Sequence, residues 1–184
     1  TALCLNGHSI KVDANDDAII VSEDVNFTLT DCDGNGVITH NSGKKSSGVT
    51  VGGTFTMYGG IISGNAMETS GGGVIVNSTG TFTMCGGTIS GNTAGTLGGG
   101  VCVGSGTFTM TGSAKISGNK AVNGGGVYVE QGTFTMDDGS IYGNTAKNNG
   151  GGVYNNGTFI MTNGTIGGVG SNPSNDAVNG GGVY

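Results

Sequence analysis

The sequence predicts an all-β fold of stacked coils, a parallel β-helix (solenoid) of about seven coils of about 26 residues. Three observations carry this. Gly-Thr-Phe-Thr-Met starts at Gly53, Gly80, Gly106 and Gly132, and returns as Gly-Thr-Phe-Ile-Met at Gly157. The phenylalanines Phe55, Phe82, Phe108, Phe134 and Phe159 are therefore spaced by 27, 26, 26 and 25 residues, a period typical of stacked repeats. Between them, glycine turns cut the chain into short runs of alternating apolar and polar residues, which is the pattern of half-buried strands.

One coil, residues 71 to 95, shows the elements in order. Gly71-Gly72-Gly73 is a turn. Val74-Ile75-Val76 reads as a first strand and Asn77-Ser78-Thr79-Gly80 as a second turn. Thr81-Phe82-Thr83-Met84 is the second strand, Cys85-Gly86-Gly87 turns again, and Thr88-Ile89-Ser90 is a third strand ended by Gly91-Asn92. Alternation sends Val74, Val76, Phe82, Met84 and Ile89 inward, and Ile75, Thr81, Thr83, Thr88 and Ser90 outward.

The other coils repeat these columns. Phe27, Phe55, Phe82, Phe108, Phe134 and Phe159 form an aromatic core stack. Leu29, Met57, Met84, Met110, Met136 and Met161 lie beside it, and this pattern reads as packing, not as a metal or cofactor site. Ile38, Ile62, Ile89, Ile116, Ile141 and Ile166 fill the third strand. Asn41, Asn65, Asn92, Asn119 and Asn144 follow three residues later, a column suited to amide hydrogen bonds between coils, and Val169 breaks it. The last interval is lengthened and holds the only proline, Pro173, in a segment expected to protrude. Residues 1–36 read as irregular N-terminal capping coils, with six of nine aspartates between Asp13 and Asp33, and 37–184 as the regular repeats of one continuous domain. The chain begins at Thr1 and stops just after a fresh Gly-Gly-Gly-Val, so it reads as a segment truncated at its C-terminal end, with any signal or anchor outside it.

Composition narrows the function classes. Glycine is 42 of 184 residues without a Gly-X-Y period, which excludes collagen. Six lysines, no arginine and 12 acids give a net charge of −6 and no basic patch, which argues against a nucleic-acid partner. No stretch is apolar enough for direct membrane insertion by a helix. Cys4, Cys32, Cys85 and Cys102 lack zinc-type spacing and read as free thiols. A Cys4–Cys32 bridge is the alternative, disfavoured because their registers do not clearly match.

The search for chemistry returns little. Asp16-Asp17 and Asp137-Asp138 are the paired acids, but adjacent strand residues point apart and no acid ladder repeats on one face. His8 and His40 have no recognisable nucleophile partner, and His40 reads as a solvated turn residue. Asp31-Cys32-Asp33-Gly34-Asn35-Gly36 spells half a calcium loop, but the twelfth position is Ser42 in place of glutamate, so an Asx-rich turn is expected. The sequence therefore predicts no catalytic residue, no metal and no cofactor. Two outward ladders remain as candidate binding faces. One is the threonine grid of Thr81, Thr83, Thr107, Thr109, Thr133 and Thr135, flanked by Thr54, Thr56 and Thr158. The other is Tyr128 and Tyr154, continued by Tyr184, with Tyr142 placed in the same region. β-Strand propensity alone also accounts for both.

Ile141-Tyr142-Gly143-Asn144-Thr145-Ala146 followed by Gly150-Gly151-Gly152-Val153-Tyr154 resembles the repeats of chlamydial polymorphic membrane proteins. Those alternate Phe-x-x-Asn with Gly-Gly-Ala-Ile, and this chain has Ile for Phe and Gly for Ala. The motif is similar, too, to glycine- and threonine-rich β-helix regions of large surface proteins of gut anaerobes. The resemblance implies a right-handed, single-stranded, pectin-lyase-like β-helix, secreted or on a bacterial cell surface. It also implies a non-catalytic structural or adhesive role toward a glycan or host surface protein. End-to-end or C-terminal-coil self-association is a further expectation. Two alternatives are an ice-binding protein using the Thr-x-Thr grid and a polysaccharide-active enzyme of the pectin-lyase-like fold.

Overall fold

A computed structural model describes residues 1–168 and 170–184. Every regular element among them is a strand, and the strands stack in parallel as a β-solenoid of about six turns. Each full coil visits four sheets in turn. The valine sheet holds Ile19–Val21, Val49–Val51, Val74–Val76, Val101–Val103, Val127–Val129 and Val153–Asn155. The phenylalanine sheet has seven strands: Ala2–Cys4, Asn26–Thr30, Thr54–Met57, Thr81–Met84, Thr107–Met110, Thr133–Met136 and Thr158–Met161. The isoleucine sheet runs from Ile10–Val12 to Thr165–Ile166, also seven strands deep. The fourth sheet is short: Ala66–Met67, Thr93–Ala94, Lys120–Asn123 and Thr145–Asn149.

The three-strand coil read from the sequence is thus corrected to four strands in the middle of the molecule. The extra strand is as short as Thr93–Ala94, too brief for alternation to reveal it. Two of its residues, Ala94 and Ala146, are small and buried. The N-terminal stretch enters the same ladders as the repeats. Leu3 pairs with Leu29, Ile10 with Ile38, Ile19 with Val49 and Phe27 with Phe55, and only the fourth sheet is absent before Ala66.

Register follows from the core. A one-residue slip would turn each strand inside out, so like residues stack on like. Phe82 pairs with Phe55 and Phe108, and Met84 with Met57 and Met110. The rings from Phe55 to Phe134 stack at 4.8–4.9 Å, nearly parallel, and are fully buried. Both ends are looser, and Phe27 and Phe159 are half-buried. At the C-terminal end the inward residues Met161 and Val183 are exposed.

Beside the isoleucines runs a buried polar ladder. The amide Nδ2 of Asn92 donates to Asn119 Oδ1 at 3.0 Å and to the Ile62 carbonyl at 2.9 Å. The Asn92 backbone N–H donates to the same Asn119 Oδ1. Asn65, Asn119 and Asn144 repeat the arrangement. Each amide thus uses donor and acceptor across two coils, and no buried side-chain N or O among the described residues lacks a partner.

Two positions differ from the sequence reading. Asn41 does not join the ladder. His40 takes that place, buried, with Nδ1 2.7 Å from Asn65 Oδ1 and Nε2 2.8 Å from the Asp16 carbonyl oxygen. His40 is therefore a structural cap and not a solvated turn residue. At the other end Asn175 restores the ladder, its Oδ1 accepting from Asn144 and its Nδ2 donating to the Ile141 carbonyl. Asn175 lies nine residues after Ile166 instead of three, so the insertion is looped out between the core and its own asparagine. The expected break at Val169 lies outside the described residues. Within the insertion Pro173 is exposed, but its carbonyl accepts the Gly143 N–H, so the segment folds back on the preceding coil.

This ladder explains the glycine triplets. The last glycines of four triplets, Gly73, Gly100, Gly126 and Gly152, face Asn92, Asn119, Asn144 and Asn175. A Cβ on Gly126 would lie 2.5 Å from the Gly152 carbonyl oxygen, and 3.1 Å from both Asn144 Nδ2 and Ile141 Cγ2. The backbone oxygen cannot retreat without breaking the coil-to-coil hydrogen bonds. Gly126→Ala is accordingly expected to lose about 1–3 kcal/mol or more through overpacking. Gly91→Ala, at φ +64° with open space around it, should lose only about 1 kcal/mol of backbone strain. Urea unfolding of the two variants checks the order; a larger loss at Gly91 would contradict it.

Candidate functional site

Two outward faces carry the residues singled out in the sequence. On the phenylalanine sheet, strand alternation and exact register place Thr54, Thr81, Thr107, Thr133 and Thr158 in one column. Thr28, Thr56, Thr83, Thr109 and Thr135 form the second, which ends at Ile160. Thr81 and Thr107 are exposed, while Thr83, Thr109, Thr133 and Thr135 are half-buried against their neighbours. The result is a two-column grid of hydroxyl and methyl groups repeating at the interstrand spacing, about 4.8 Å.

The second face belongs to the valine sheet. Its outward column is Ile20, Thr50, Ile75, Cys102, Tyr128 and Tyr154, continued by Tyr184. The rings of Tyr128 and Tyr154 stack at 4.9 Å, and those of Tyr154 and Tyr184 at 5.2 Å. The start of each tyrosine side chain crowds the glycine that opens its triplet: a Cβ on Gly124 would lie 2.8 Å from Tyr128 Cβ. That glycine has φ +64°, so the position excludes a side chain on both counts.

Outward direction is thus not equal to exposure. Tyr128 retains only 9% of its surface, Tyr154 is intermediate, and Tyr184 is 53% exposed. Burial, with the neighbouring Tyr154 next in weight, pushes the Tyr128 phenol above its ordinary value. Stacking also consumes the ring faces. What remains accessible is a row of ring edges and hydroxyls, with one open face at Tyr184. Tyr142 is separated from this row. It stands on the isoleucine sheet, in register with Ser117, so it belongs to another side of the coil.

The polar residues weighed for chemistry are engaged in turns. Asp17 accepts hydrogen bonds from Ser46 Oγ, Ser47 N–H and Thr50 Oγ1. Asp137 accepts from Thr162 Oγ1, and Asp138 from the Gly139 N–H. Asp31 accepts the N–H groups of Gly7 and Gly36, both at 2.7 Å, and the Gly7 bond leads in holding its carboxyl below the usual range. Its carboxylate is therefore a turn anchor. Among the described residues no cluster of three or more His, Cys, Asp or Glu gathers that could hold a metal ion. No helix among them is long and apolar enough to cross a membrane.

A shallow groove of about 400 Å³ crosses the corner between the valine and phenylalanine sheets, lined by Ile20, Glu23, Thr50, Asn77, Ser78 and Thr79. Thr79 Oγ1 spans it, its single proton shared between the Gly52 carbonyl oxygen at 2.8 Å and Glu23 Oε1 at 3.2 Å. Sequence reading missed this groove because it joins two strand residues, Ile20 and Thr50, to the turn residues Glu23, Asn77, Ser78 and Thr79, which do not repeat from coil to coil. Comparison with protein-family models, curated proteins and solved structures finds no match to this chain.

Proposed function

We propose that this chain is a non-catalytic β-solenoid module of an exported bacterial surface protein, a rigid support that presents hydroxyl-bearing faces to a glycan or protein partner. The observation that carries the reading is the exact stacking of like residues on outer faces as well as in the core. A core needs only apolar residues of suitable volume. It does not require two threonine columns or a tyrosine stack on the outside. Bacterial origin and surface location rest on the resemblance of the Ile-x-x-Asn and Gly-Gly-Gly-Val-Tyr motif. Tyr154 and Tyr184 offer hydroxyls held at fixed spacing by stacking, so little side-chain entropy is lost on binding.

The test is a glycan and host-glycoprotein array probed with three proteins of matched thermal stability: wild type, Tyr154→Ala/Tyr184→Ala, and Thr83→Lys/Thr109→Lys. Binding by wild type that falls at least about tenfold in one variant supports the reading and locates the face. A blank array, or equal binding by all three, counts against it.

A second reading is favoured by one specific feature. The threonine columns are unbroken through Thr81, Thr83, Thr107, Thr109, Thr133 and Thr135, a flat lattice of the type an ice surface could match. Thermal hysteresis of the wild type that is abolished by Thr83→Tyr would install ice binding in place of adhesion.

A further inference from the structure

We propose that Cys4 and Cys32 form a reversible redox clasp that locks the first coil of the solenoid onto the second. The sequence could not place these residues, because each lies where the chain leaves the regular ladder. In the structure Cys4 ends the strand Ala2–Cys4 and pairs with Thr30, while Leu5 N–H donates to the Thr30 carbonyl. Cys32 follows Thr30 by two residues on the adjoining coil. The sulfurs lie 3.1 Å apart, and both residues are exposed. That is about 1 Å longer than a disulfide bond, a gap that side-chain rotation can close.

The surroundings already hold the two loops together. Asp31 binds the Gly7 N–H from the first loop and the Gly36 N–H from its own, so the segments carrying Cys4 and Cys32 are fixed face to face. The thiols are also unequal. Hydrogen bonds from Cys32 first, then Thr30, hold the Cys4 thiol below its ordinary value, and Cys32 is raised because its proton is shared with Cys4. Cys4 is the first thiolate. Cys102, by contrast, is buried and pushed up to about 12, chiefly by desolvation.

The chemistry is thiol–disulfide exchange with a low-molecular-weight disulfide such as oxidised glutathione. The Cys4 thiolate attacks one sulfur of that disulfide, which breaks and releases one thiolate. Cys32 then gives its proton to water and attacks Cys4 Sγ, expelling the second thiolate. The two protein thiols are oxidised to one disulfide, and the reagent is reduced to two thiols.

The site has a structural consequence. The strand Ala2–Cys4 lies at an edge of the phenylalanine sheet and pairs only with Asn26–Thr30, so its hydrogen bonds are among those that open by local fluctuation. A bridge between residues 28 apart in sequence would restrain that end directly. Such a clasp closes in an oxidising compartment and opens in a reducing one.

The experiment uses the full chain, reduced and then equilibrated in buffer with excess oxidised glutathione. Intact mass, a non-reducing peptide map and amide hydrogen exchange are read before and after. The expected result is loss of two hydrogen atoms, a Cys4–Cys32 crosslink, and exchange at Leu3 and Leu5 slowed about tenfold or more. The crosslink should persist in Cys85→Ser/Cys102→Ala and vanish in Cys4→Ser. The proposal is overturned if all four thiols stay alkylatable, if another pair is linked, or if the bridge forms without slowing exchange at the first strand. None of these outcomes depends on whether the outer faces bind a partner.

Discussion

Phe108→Asp is expected to abolish cooperative folding, whereas Thr109→Ser, one residue along the same strand, should leave stability within about 0.5 kcal/mol. Phe108 is fully buried, with Phe82 and Phe134 stacked on its two faces at 4.9 and 4.8 Å. Losing the ring alone costs about 3–5 kcal/mol through lost transfer energy and a cavity. A carboxylate in its place has no buried cation to meet and adds a desolvation penalty of several kcal/mol. Together these approach the whole stability of an ordinary domain, about 5–15 kcal/mol. The position sharpens the effect. In a stack where each coil touches only its neighbours, a break in the middle leaves two short pieces, each with a new open end. The same substitution at half-buried Phe159 should be milder, because that coil has one neighbour to lose. Thermal melts followed by far-UV circular dichroism check all three. Equal loss in Phe108→Asp and Thr109→Ser would sink the assignment of inner and outer faces.

The inner columns were legible because alternation and period agree on them. Phe, Met and Ile recur every 24 to 28 residues, and a strand has only two sides. What the sequence concealed lies where one of those signals fails. The fourth strand is only two residues long at Ala66–Met67 and Thr93–Ala94, and where it lengthens to Lys120–Asn123 and Thr145–Asn149 it does not alternate apolar with polar. Asn175 was displaced by an insertion, so its spacing from Ile166 no longer marked it. His40 substitutes a different side chain for an asparagine in the same ladder, and a search for repeated residue types passes over it. Cys4 ends the first strand and Cys32 lies in the turn after Thr30, at positions that do not repeat, so their distance in space cannot be read from their distance in sequence. The tyrosines show a different limit. Alternation gave their direction correctly, but exposure also depends on what stacks alongside: Tyr154 packs on Tyr128, which keeps only 9% of its surface.

Asn119→Ala should be nearly as damaging as a core cavity, although the residue is polar and the change is small. The side chain makes four hydrogen bonds in a buried site. Its Oδ1 accepts from the Asn92 backbone N–H and from Asn92 Nδ2, and its Nδ2 donates to the Ile89 carbonyl and to Asn144 Oδ1, all at about 3.0 Å. Alanine leaves partners on two coils unsatisfied, at about 1–3 kcal/mol for each group that water cannot reach. A loss of about 3–5 kcal/mol is expected, measured as a lower urea midpoint. Asn119→Asp separates this cause from simple packing. It keeps the shape and the acceptor for Asn92 but turns an oxygen toward the two oxygens that formerly received the amide. The buried site, with two oxygens facing the introduced carboxyl, favours its neutral form, so its pKa is raised in the folded state. The penalty is then full at high pH and shrinks as pH falls through that raised pKa, where a protonated carboxyl can donate one bond. The stability difference between wild type and Asn119→Asp should therefore narrow toward acid. A difference that stays constant with pH would mean that the amide nitrogen is not what ties the coils together.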